Sequence, residues 1–215
     1  MKHNTTTDYR DVFFFEWPGS DESSFIQTSR IDSHGREEGI CFIPCDLAAV
    51  SMVRDFIERK CVARKLKEEQ AFEISLIADE LVSNGIAATY EKDGSESIML
   101  RYRISDDHVI ISVLDYGGGF SLPEVQNRVP DGESLEDFME SLRVYRGSTK
   151  LKIPFQGKLT EHQKFGRGLQ IVTGISDAVV IMLHTKDGKL TRNHAEDTLG
   201  AVVSVRYDIP RKPAA

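Results

Sequence analysis

Residues 78–88, ADELVSNGIAA, carry Glu80 and Asn84 within a mostly apolar stretch of the sequence. Apolar residues recur around this stretch at helical spacing, which predicts a helix that begins near Lys67. Glu80 and Asn84 are four positions apart, so they lie on the same face of that helix. A carboxylate and an amide oxygen on one face suit a hydrated Mg²⁺ ion or a general base beside it. An ordinary solvated helix face is the alternative interpretation.

A second motif, DYGGGF at 115–120, follows a predicted strand at 109–114. A carboxylate at the end of a strand, here Asp115, can accept a hydrogen bond from an exocyclic amine. Gly117 and Gly119 lack a Cβ and allow the backbone to approach a ligand closely. A flexible glycine-rich turn is the alternative.

A third motif, Gly166-Arg167-Gly168, comes directly before a predicted helix at 168–176. The backbone amides at a helix N-terminus form an anion site, and glycine permits close contact with phosphate oxygens. The motif matches neither a Walker loop nor a dinucleotide-binding fingerprint, because both need a different glycine spacing. An ordinary junction between a loop and a helix is the alternative.

The elements predicted around these motifs are, in order, strand, helix, helix, strand, strand, helix, strand and strand. They cover residues 40–43, 46–57, 67–92, 98–104, 109–114, 168–176, 178–183 and 201–207. Parallel βαβ units do not dominate this order. We therefore expect an α+β fold, a two-layer sandwich with helices on one face of a mixed sheet.

The three motifs, in this order and on these elements, resemble those of the GHKL (Bergerat-fold) ATP-binding superfamily. The resemblance is greatest to the anti-sigma-factor serine kinases of the RsbW and SpoIIAB type, and it covers roughly residues 40–207. The matching stretches are ICFIPCDLAAVSMVRDFI at 40–57, ADELVSNGIAA at 78–88, LDYGGGF at 114–120, FGRGLQIV at 165–172 and LGAVVSV at 199–205. In the last stretch Ala201 stands where threonine is usual in the family.

The resemblance implies roles for the residues at the phosphate end of an ATP site. Glu80 would be the general base that acts on a substrate hydroxyl, and Asn84 would hold Mg²⁺ together with the ATP phosphates. Gly166 and Gly168 would meet the phosphates, and Arg167 would add positive charge there.

At the other end, Asp115 would recognise the adenine amine, with Gly117 and Gly119 shaping the adenine pocket. The same resemblance implies a serine/threonine protein kinase that phosphorylates a small STAS-type antagonist (an anti-anti-sigma factor). It would also bind a partner such as a sigma factor, and it would be a homodimer.

We divide the chain into an N-terminal extension at 1–39 and an ATP-binding kinase domain at 40–210. The extension holds an aromatic cluster near residues 13–17, which we expect to cover the domain's own core; an added strand or an arm for a partner is the alternative. Residues 121–165 form a long polar insertion between the glycine motifs, which we interpret as a mobile ATP lid. One amphipathic helix is predicted within it, with its apolar face formed by Leu135, Phe138, Met139, Leu142 and Tyr145.

Composition limits the possible partners and location. The 215 residues carry a net charge of −7, so the chain is poorly suited to binding the phosphate backbone of nucleic acid. No apolar run is long enough for a membrane span, and residues 1–10 do not look like a signal peptide. Three cysteines, an odd number, indicate reduced thiols in the cytoplasm, buried and inert rather than zinc-binding.

Two other functions stay open at this level. One is a non-catalytic switch in which ATP only controls the affinity for a partner protein; the presence of Glu80 favours the kinase instead. The other is a histidine-kinase-like ATPase domain, which needs an accessible histidine on a long amphipathic helix. None of the six histidines is predicted in such a helix. We find no nucleophile and base arrangement typical of a metabolic enzyme.

Overall fold

A computed structural model describes residues 12–15, 25–32, 34–119, 129, 137–138, 149–164 and 167–210. The helices whose bounds it describes are α1 (Ala48–Ala63), α2 (Glu68–Lys92) and α3 (Gly168–Ile175). The strands are β1 (Val12–Phe15), β2 (Phe25–Ile31), β3 (Glu37–Ile43), β4 (Ile98–Ile104), β5 (His108–Leu114), β6 (Thr149–Phe155), β7 (Lys158–Lys164), β8 (Ala178–Thr185), β9 (Leu190–Thr191) and β10 (Thr198–Asp208). No helix in these ranges has the length and apolar character needed to cross a membrane.

Eight of the strands form one sheet in the order β1-β2-β3-β4-β5-β10-β8-β9. The predicted pairing of the strands at 98–104 and 109–114 is confirmed, with Met99 opposite Leu114. Each neighbouring pair of these described strands is antiparallel, although we expected a mixed sheet. Between β3 and β4 the reason is that two antiparallel helices, α1 and α2, return the chain to the end of the sheet from which it left.

The inward face of the sheet is apolar, as the alternating sequence predicts. In β4, for example, Ile98, Leu100, Tyr102 and Ile104 are buried, while the residues between them are partly or fully exposed. The helices pack against this face, and α2 contacts α1, α3 and the strands β4, β5, β6 and β10. The expectation of an α+β two-layer sandwich with helices on one face is confirmed.

The N-terminal residues extend the same sheet. β1 pairs with β2, and β2 pairs with β3. Our boundary between residues 39 and 40 lies inside β3, which begins at Glu37. The strands at 12–15 and 25–31 are therefore added at one edge of the sheet, which was the alternative that we considered for the aromatic segment.

The second half of the insertion at 121–165, which we interpret as an ATP lid, contains two strands that we did not predict. β6 and β7 form a hairpin, in which Ile153 is fully buried. Gln156 and Gly157 both have positive φ angles, 52° and 70°, as a tight hairpin turn requires. In the first half only Val129, Asp137 and Phe138 are described, and Val129 and Phe138 are buried. The predicted helix otherwise lies outside the described residues.

One carboxylate joins this hairpin to the start of α1. Asp46 Oδ1 accepts hydrogen bonds from the N–H groups of Ala48, at 2.8 Å, and Gln156, at 3.0 Å. Its Oδ2 accepts one from the N–H of Gly157 at 2.7 Å. The backbone adds a further bond, because Leu47 donates to the carbonyl of Pro154 at 2.8 Å. The Asp46 carboxylate therefore accepts hydrogen bonds from backbone amides of both α1 and the β6–β7 turn, which are far apart in the sequence.

We predict that Asp46→Ala destabilises the protein by about 2 kcal/mol, because it removes bonds to a helix start and to two turn amides at once. Chemical denaturation measures this change, and trypsin should cleave the lysines of the hairpin faster in the variant. Glu161→Ala is the matched control, since Glu161 forms only an exposed ion pair with Lys150. The control substitution should lower the free energy of unfolding by less than about 1 kcal/mol. Equal losses in the two variants would contradict the prediction.

Candidate functional site

The phosphate-end residues of the proposed site meet on one face of α2. Glu80 and Asn84 are both half-buried there, one helical turn apart. α3 begins at Gly168, directly against them. A Cβ added at Gly168 would overlap Glu80 Oε2 and would lie 3.0 Å from Asn84 Nδ2. A larger residue at this position would therefore force the Glu80 carboxylate to move.

The other two residues of the second glycine motif differ in what the structure describes. Arg167 is exposed and immediately precedes α3, and its carbonyl accepts the hydrogen bond of Ile171 N–H at 3.0 Å. Its side chain is thus at the helix start, where we expected positive charge. Gly166 lies outside the described residues.

Asp115 lies at the end of β5 and is only 8% exposed. Its Oδ1 accepts hydrogen bonds from two backbone amides, Gly117 N–H at 2.8 Å and Ala201 N–H at 3.3 Å. These bonds hold the carboxylate in one orientation beside the glycine loop. They also show how the carboxylate is supported although Ala201 has no hydroxyl group.

The glycines of the first glycine motif allow a close approach between this loop and its neighbours. A Cβ at Gly117 would lie 2.6 Å from Ala88 Cβ, on α2. Gly119 has a φ angle of +77°, and a Cβ there would lie 2.9 Å from Leu183 Cδ2. The loop therefore packs between α2 on one side and β8 on the other.

Two residues of α2 contribute to this arrangement, although sequence reasoning did not single them out. A Cβ at Gly85 would lie 3.1 Å from Val113 Cγ1 and 3.6 Å from Asp115 Cβ, so Gly85 lets α2 approach the end of β5. Thr89 is buried, and its hydroxyl oxygen accepts a hydrogen bond from Tyr116 N–H at 2.9 Å. A glycine inside a helix lowers its stability by about 1 kcal/mol relative to alanine. The presence of Gly85 in the middle of a predicted helix was therefore a sequence signal that the position needs a close approach. Thr89 gave no local signal.

The three motifs are therefore brought together along α2. Gly168 contacts the helix at Glu80, and Gly117 contacts it at Ala88. Eight residues of α-helix separate these points, which is about 12 Å along the axis. This distance is on the order of the length of an extended nucleoside triphosphate, so the glycine contacts fit a ligand with its phosphates at one end and its base at the other.

The described side chains fit a magnesium ion that is bound by Asn84 together with the phosphates of a nucleotide. No group of three or more His, Cys, Asp or Glu residues in the described part of the chain could hold a metal ion. Mg²⁺ in proteins is commonly bound through one or two side chains together with substrate phosphates. An oxygen ligand from Asn84, completed by phosphates, agrees with that pattern.

The cysteines at 41 and 61 are buried, and Cys45 is half-buried. Burial raises the pKa of Cys45 to about 11 and the pKa values of Cys41 and Cys61 to about 12. At neutral pH these thiols are almost entirely protonated, and a thiol is a poor nucleophile in that form. The prediction of inert thiols is therefore supported.

Comparison with known proteins agrees with this geometry. The profile of the histidine kinase-like ATPase domain family matches residues 43–192, well over half of the chain. The matched range contains α1, α2, the strands β4 to β8 and the helix start at Gly168. No curated protein matches the chain significantly. The chain belongs to the histidine kinase-like ATPase domain family of the GHKL superfamily, and it carries an ATP-binding domain of the kind used by GHKL kinases and ATPases.

Proposed function

We propose that this protein is an ATP-dependent serine/threonine protein kinase of the anti-sigma-factor type. It phosphorylates a small STAS-type antagonist and binds a second partner such as a sigma factor. The observation that carries the proposal is the contact of Gly168 with Glu80 and Asn84. This contact brings a carboxylate, an amide and a helix N-terminus to one point, and these groups can accept a hydroxyl proton, bind Mg²⁺ and bind phosphate oxygens, respectively.

The start of α3 is the expected place for the phosphates. Its first backbone amides have no partner within the helix, and the helix dipole favours negative charge at this end. Gly168 adds no side chain of its own at this end, where the Glu80 carboxylate lies close. Arg167, exposed beside it, adds a positive charge that favours the same ligand.

Glu80 is the residue to which we assign the proton transfer. In the proposed reaction, a serine or threonine oxygen of the partner bonds to the γ-phosphorus of ATP, and the bond to the β,γ-bridging oxygen breaks to release ADP. Glu80 accepts the hydroxyl proton, so that the attacking oxygen does not become positively charged. Asn84 is the protein ligand to which we assign Mg²⁺. The bound ion supplies charge neutralisation at the phosphate oxygens.

Asp115 is the residue to which we assign recognition of the base. A carboxylate accepts hydrogen bonds only, so it pairs with the amine of adenine and not with the carbonyl of guanine at the same ring position. The two amides on Oδ1 keep the carboxylate oriented before the nucleotide binds. Preorganisation of this kind favours both affinity and selectivity.

The positions of the described histidines support a hydroxyl acceptor over transfer to a histidine of this chain. They lie in a turn (His34), on strands (His108, His162 and His184) or in a loop (His194), and none of these five is on a helix. His3 lies outside the described residues. A histidine-kinase phosphoacceptor normally needs a helix, as argued above, so a partner hydroxyl is the better acceptor. A homodimeric state and a cytoplasmic location are also part of the proposal, and they rest on the sequence alone.

The first prediction is that Mg-ATP stabilises the protein. At 100 times the Kd, ligand linkage adds about 2.7 kcal/mol, which corresponds to roughly 5–10 °C in Tm for a domain of this size. Asp115→Asn should lose most of this shift: the remaining Oδ1 still accepts the two amides, but an N–H group replaces the second oxygen. Thermal melting with and without Mg-ATP measures both effects, with Asp208→Asn as the control. An unchanged wild-type Tm in saturating Mg-ATP would exclude the proposed nucleotide site.

The second prediction compares two glycines of the same helix. Gly168→Ala should weaken Mg-ATP binding at least about 10-fold, because the new Cβ takes up space at the helix start that we assign to the phosphates and crowds Asn84, the assigned Mg²⁺ ligand, at 3.0 Å. Gly174→Ala is the matched control, since nothing lies within 4 Å of a Cβ at that position. This control should bind nucleotide normally and should be stabilised by up to about 1 kcal/mol. Calorimetric titration measures both variants, and equal nucleotide affinities would contradict the assignment of α3.

The third prediction separates a kinase from a switch. Glu80→Ala should leave the Kd for Mg-ATP within a few fold of the wild-type value. A general base contacts the attacking hydroxyl group, and it contacts neither the adenine ring nor, directly, the phosphates. Transfer to the STAS-type protein encoded by the same genome should fall at least about 100-fold. Asn84→Ala should instead weaken Mg-ATP binding itself, since an oxygen ligand is lost.

Nucleotide titration and transfer of labelled phosphate distinguish these variants. If Glu80→Ala transfers phosphate at the wild-type rate, Glu80 is not the base. If the wild-type protein binds the partner but never phosphorylates it, ATP acts only as the ligand of a switch.

A further inference from the structure

Two histidines outside the three motifs bond to the glycine loop at 115–119. His184 is on β8, only 7% exposed, and its Nε2 lies 2.6 Å from the backbone carbonyl oxygen of Asp115. His194 is in the segment between β9 and β10, and its Nε2 lies 3.0 Å from the carbonyl oxygen of Gly118. The two imidazoles thus contact the beginning and the end of the same loop.

The chemistry of these contacts determines where the protons are. A carbonyl oxygen only accepts hydrogen bonds, so Nε2 must be the donor in both histidines. In the neutral ring this means the tautomer with a proton on Nε2 and none on Nδ1. The imidazolium form also carries a proton on Nε2, so either form can make the contact.

The backbone around the loop is arranged to permit the bond from His184. Gly200 is opposite His184 in the β8–β10 pair. A Cβ added at Gly200 would overlap the carbonyl oxygen of Asp115 and would lie 2.8 Å from His184 Nε2. The ring of Tyr116 packs edge-on against His184 with centroids 5.2 Å apart. The absence of a side chain at Gly200 therefore leaves room for the hydrogen bond, and the Tyr116 ring packs against the imidazole that makes it.

Three backbone N–H groups of the loop are bonded to other elements. The N–H groups of Asp115 and Gly118 donate to the carbonyls of Ala201 and Leu199, at 2.9 Å and 2.8 Å. Tyr116 N–H donates to Thr89, as described above. The backbone of β10 and the Thr89 hydroxyl of α2 thus orient these N–H groups, and the two imidazoles bond to the carbonyls of Asp115 and Gly118.

We propose that His184 and His194 are positioning residues for nucleotide-base recognition. They fix the peptide planes that follow Asp115 and Gly118, and through them the orientation of the Asp115 carboxylate and the shape of the glycine loop. His184 has the larger role because it bonds to the carbonyl of Asp115 itself. The inference rests on the proposed function of Asp115 as the group that recognises adenine.

The test uses variants of His184 that differ in where an N–H group can be placed. Glutamine carries its amide nitrogen as many bonds from Cβ as Nε2 of histidine, whereas asparagine carries it at the distance of Nδ1. His184→Leu should weaken Mg-ATP binding about 10-fold and lower the preference for ATP over GTP by a similar factor. His184→Gln should restore both to within about 3-fold of wild type, and His184→Asn should not.

Calorimetric titration with Mg-ATP and Mg-GTP measures these values, with His162→Leu on the β6–β7 hairpin as the control. An unchanged ATP-to-GTP preference in His184→Leu, in a series where the wild type binds ATP, overturns the inference and leaves the proposed function intact. A wild type that binds neither nucleotide overturns both.

A second measurement uses the wild-type protein, so it does not depend on whether the His184 variants fold. Nitrogen-15 NMR of the histidine side chains in the wild-type protein should show a proton on Nε2 of His184 and of His194. The Nε2 proton of His184 should exchange slowly with solvent, and adding Mg-ATP should shift the resonances of both rings. A neutral His184 with its proton on Nδ1 would overturn the proposal.

Discussion

The close packing of two glycine backbones on α2 is the constraint on which the candidate site depends. Gly168 lies against Glu80 and Asn84, and Gly117 lies against Ala88, two turns further along the same helix. A Cβ at Gly117 would meet the backbone of Ala88 and push the glycine loop away from α2, whereas a Cβ at Gly168 would force the Glu80 side chain to move. The length of α2 between these two contacts therefore sets the distance between the phosphate end and the adenine end of the site.

α2 can have this role because it is the most deeply packed helix described. Its buried residues occur along its whole length, and they face α1 as well as the sheet. Gly85 adds a third close approach, which brings the end of β5 and therefore Asp115 to the helix. Catalysis by positioning needs side chains that do not move relative to one another. A helix buried on several sides provides such a support for Glu80 and Asn84.

The β6–β7 hairpin connects this site to the start of α1. Two residues separate the end of β7 from Arg167, and the turn of the hairpin is bonded to Asp46. In the described structure the segment leading into the second glycine motif is therefore attached to α1 and does not end freely in solvent.

Much of the local structure follows from the sequence. Helical spacing of apolar residues predicted α1 and α2, the glycine turn at 166–168 predicted the start of α3, and alternation predicted β4, because these signals depend on neighbours within a few residues. The same locality explains why Glu80 and Asn84 could be placed on one face. The β6–β7 hairpin was missed since Pro154 interrupts the strand and Gln156-Gly157 is not among the common hairpin-turn pairs.

The sequence by itself thus determined the elements, the order of the three motifs and their resemblance to ATP-binding domains. Only the tertiary structure decided which distant groups meet: His184 and Asp115 are 69 residues apart, and Asp46 and Gly157 are 111 apart. Such contacts depend on the order of the strands in the sheet and on how closely α2 approaches them. Neither the strand order nor the closeness of α2 can be read from the sequence pattern. Hydrophobic periodicity shows which face of a helix or strand is buried, but it does not show which other element covers that face.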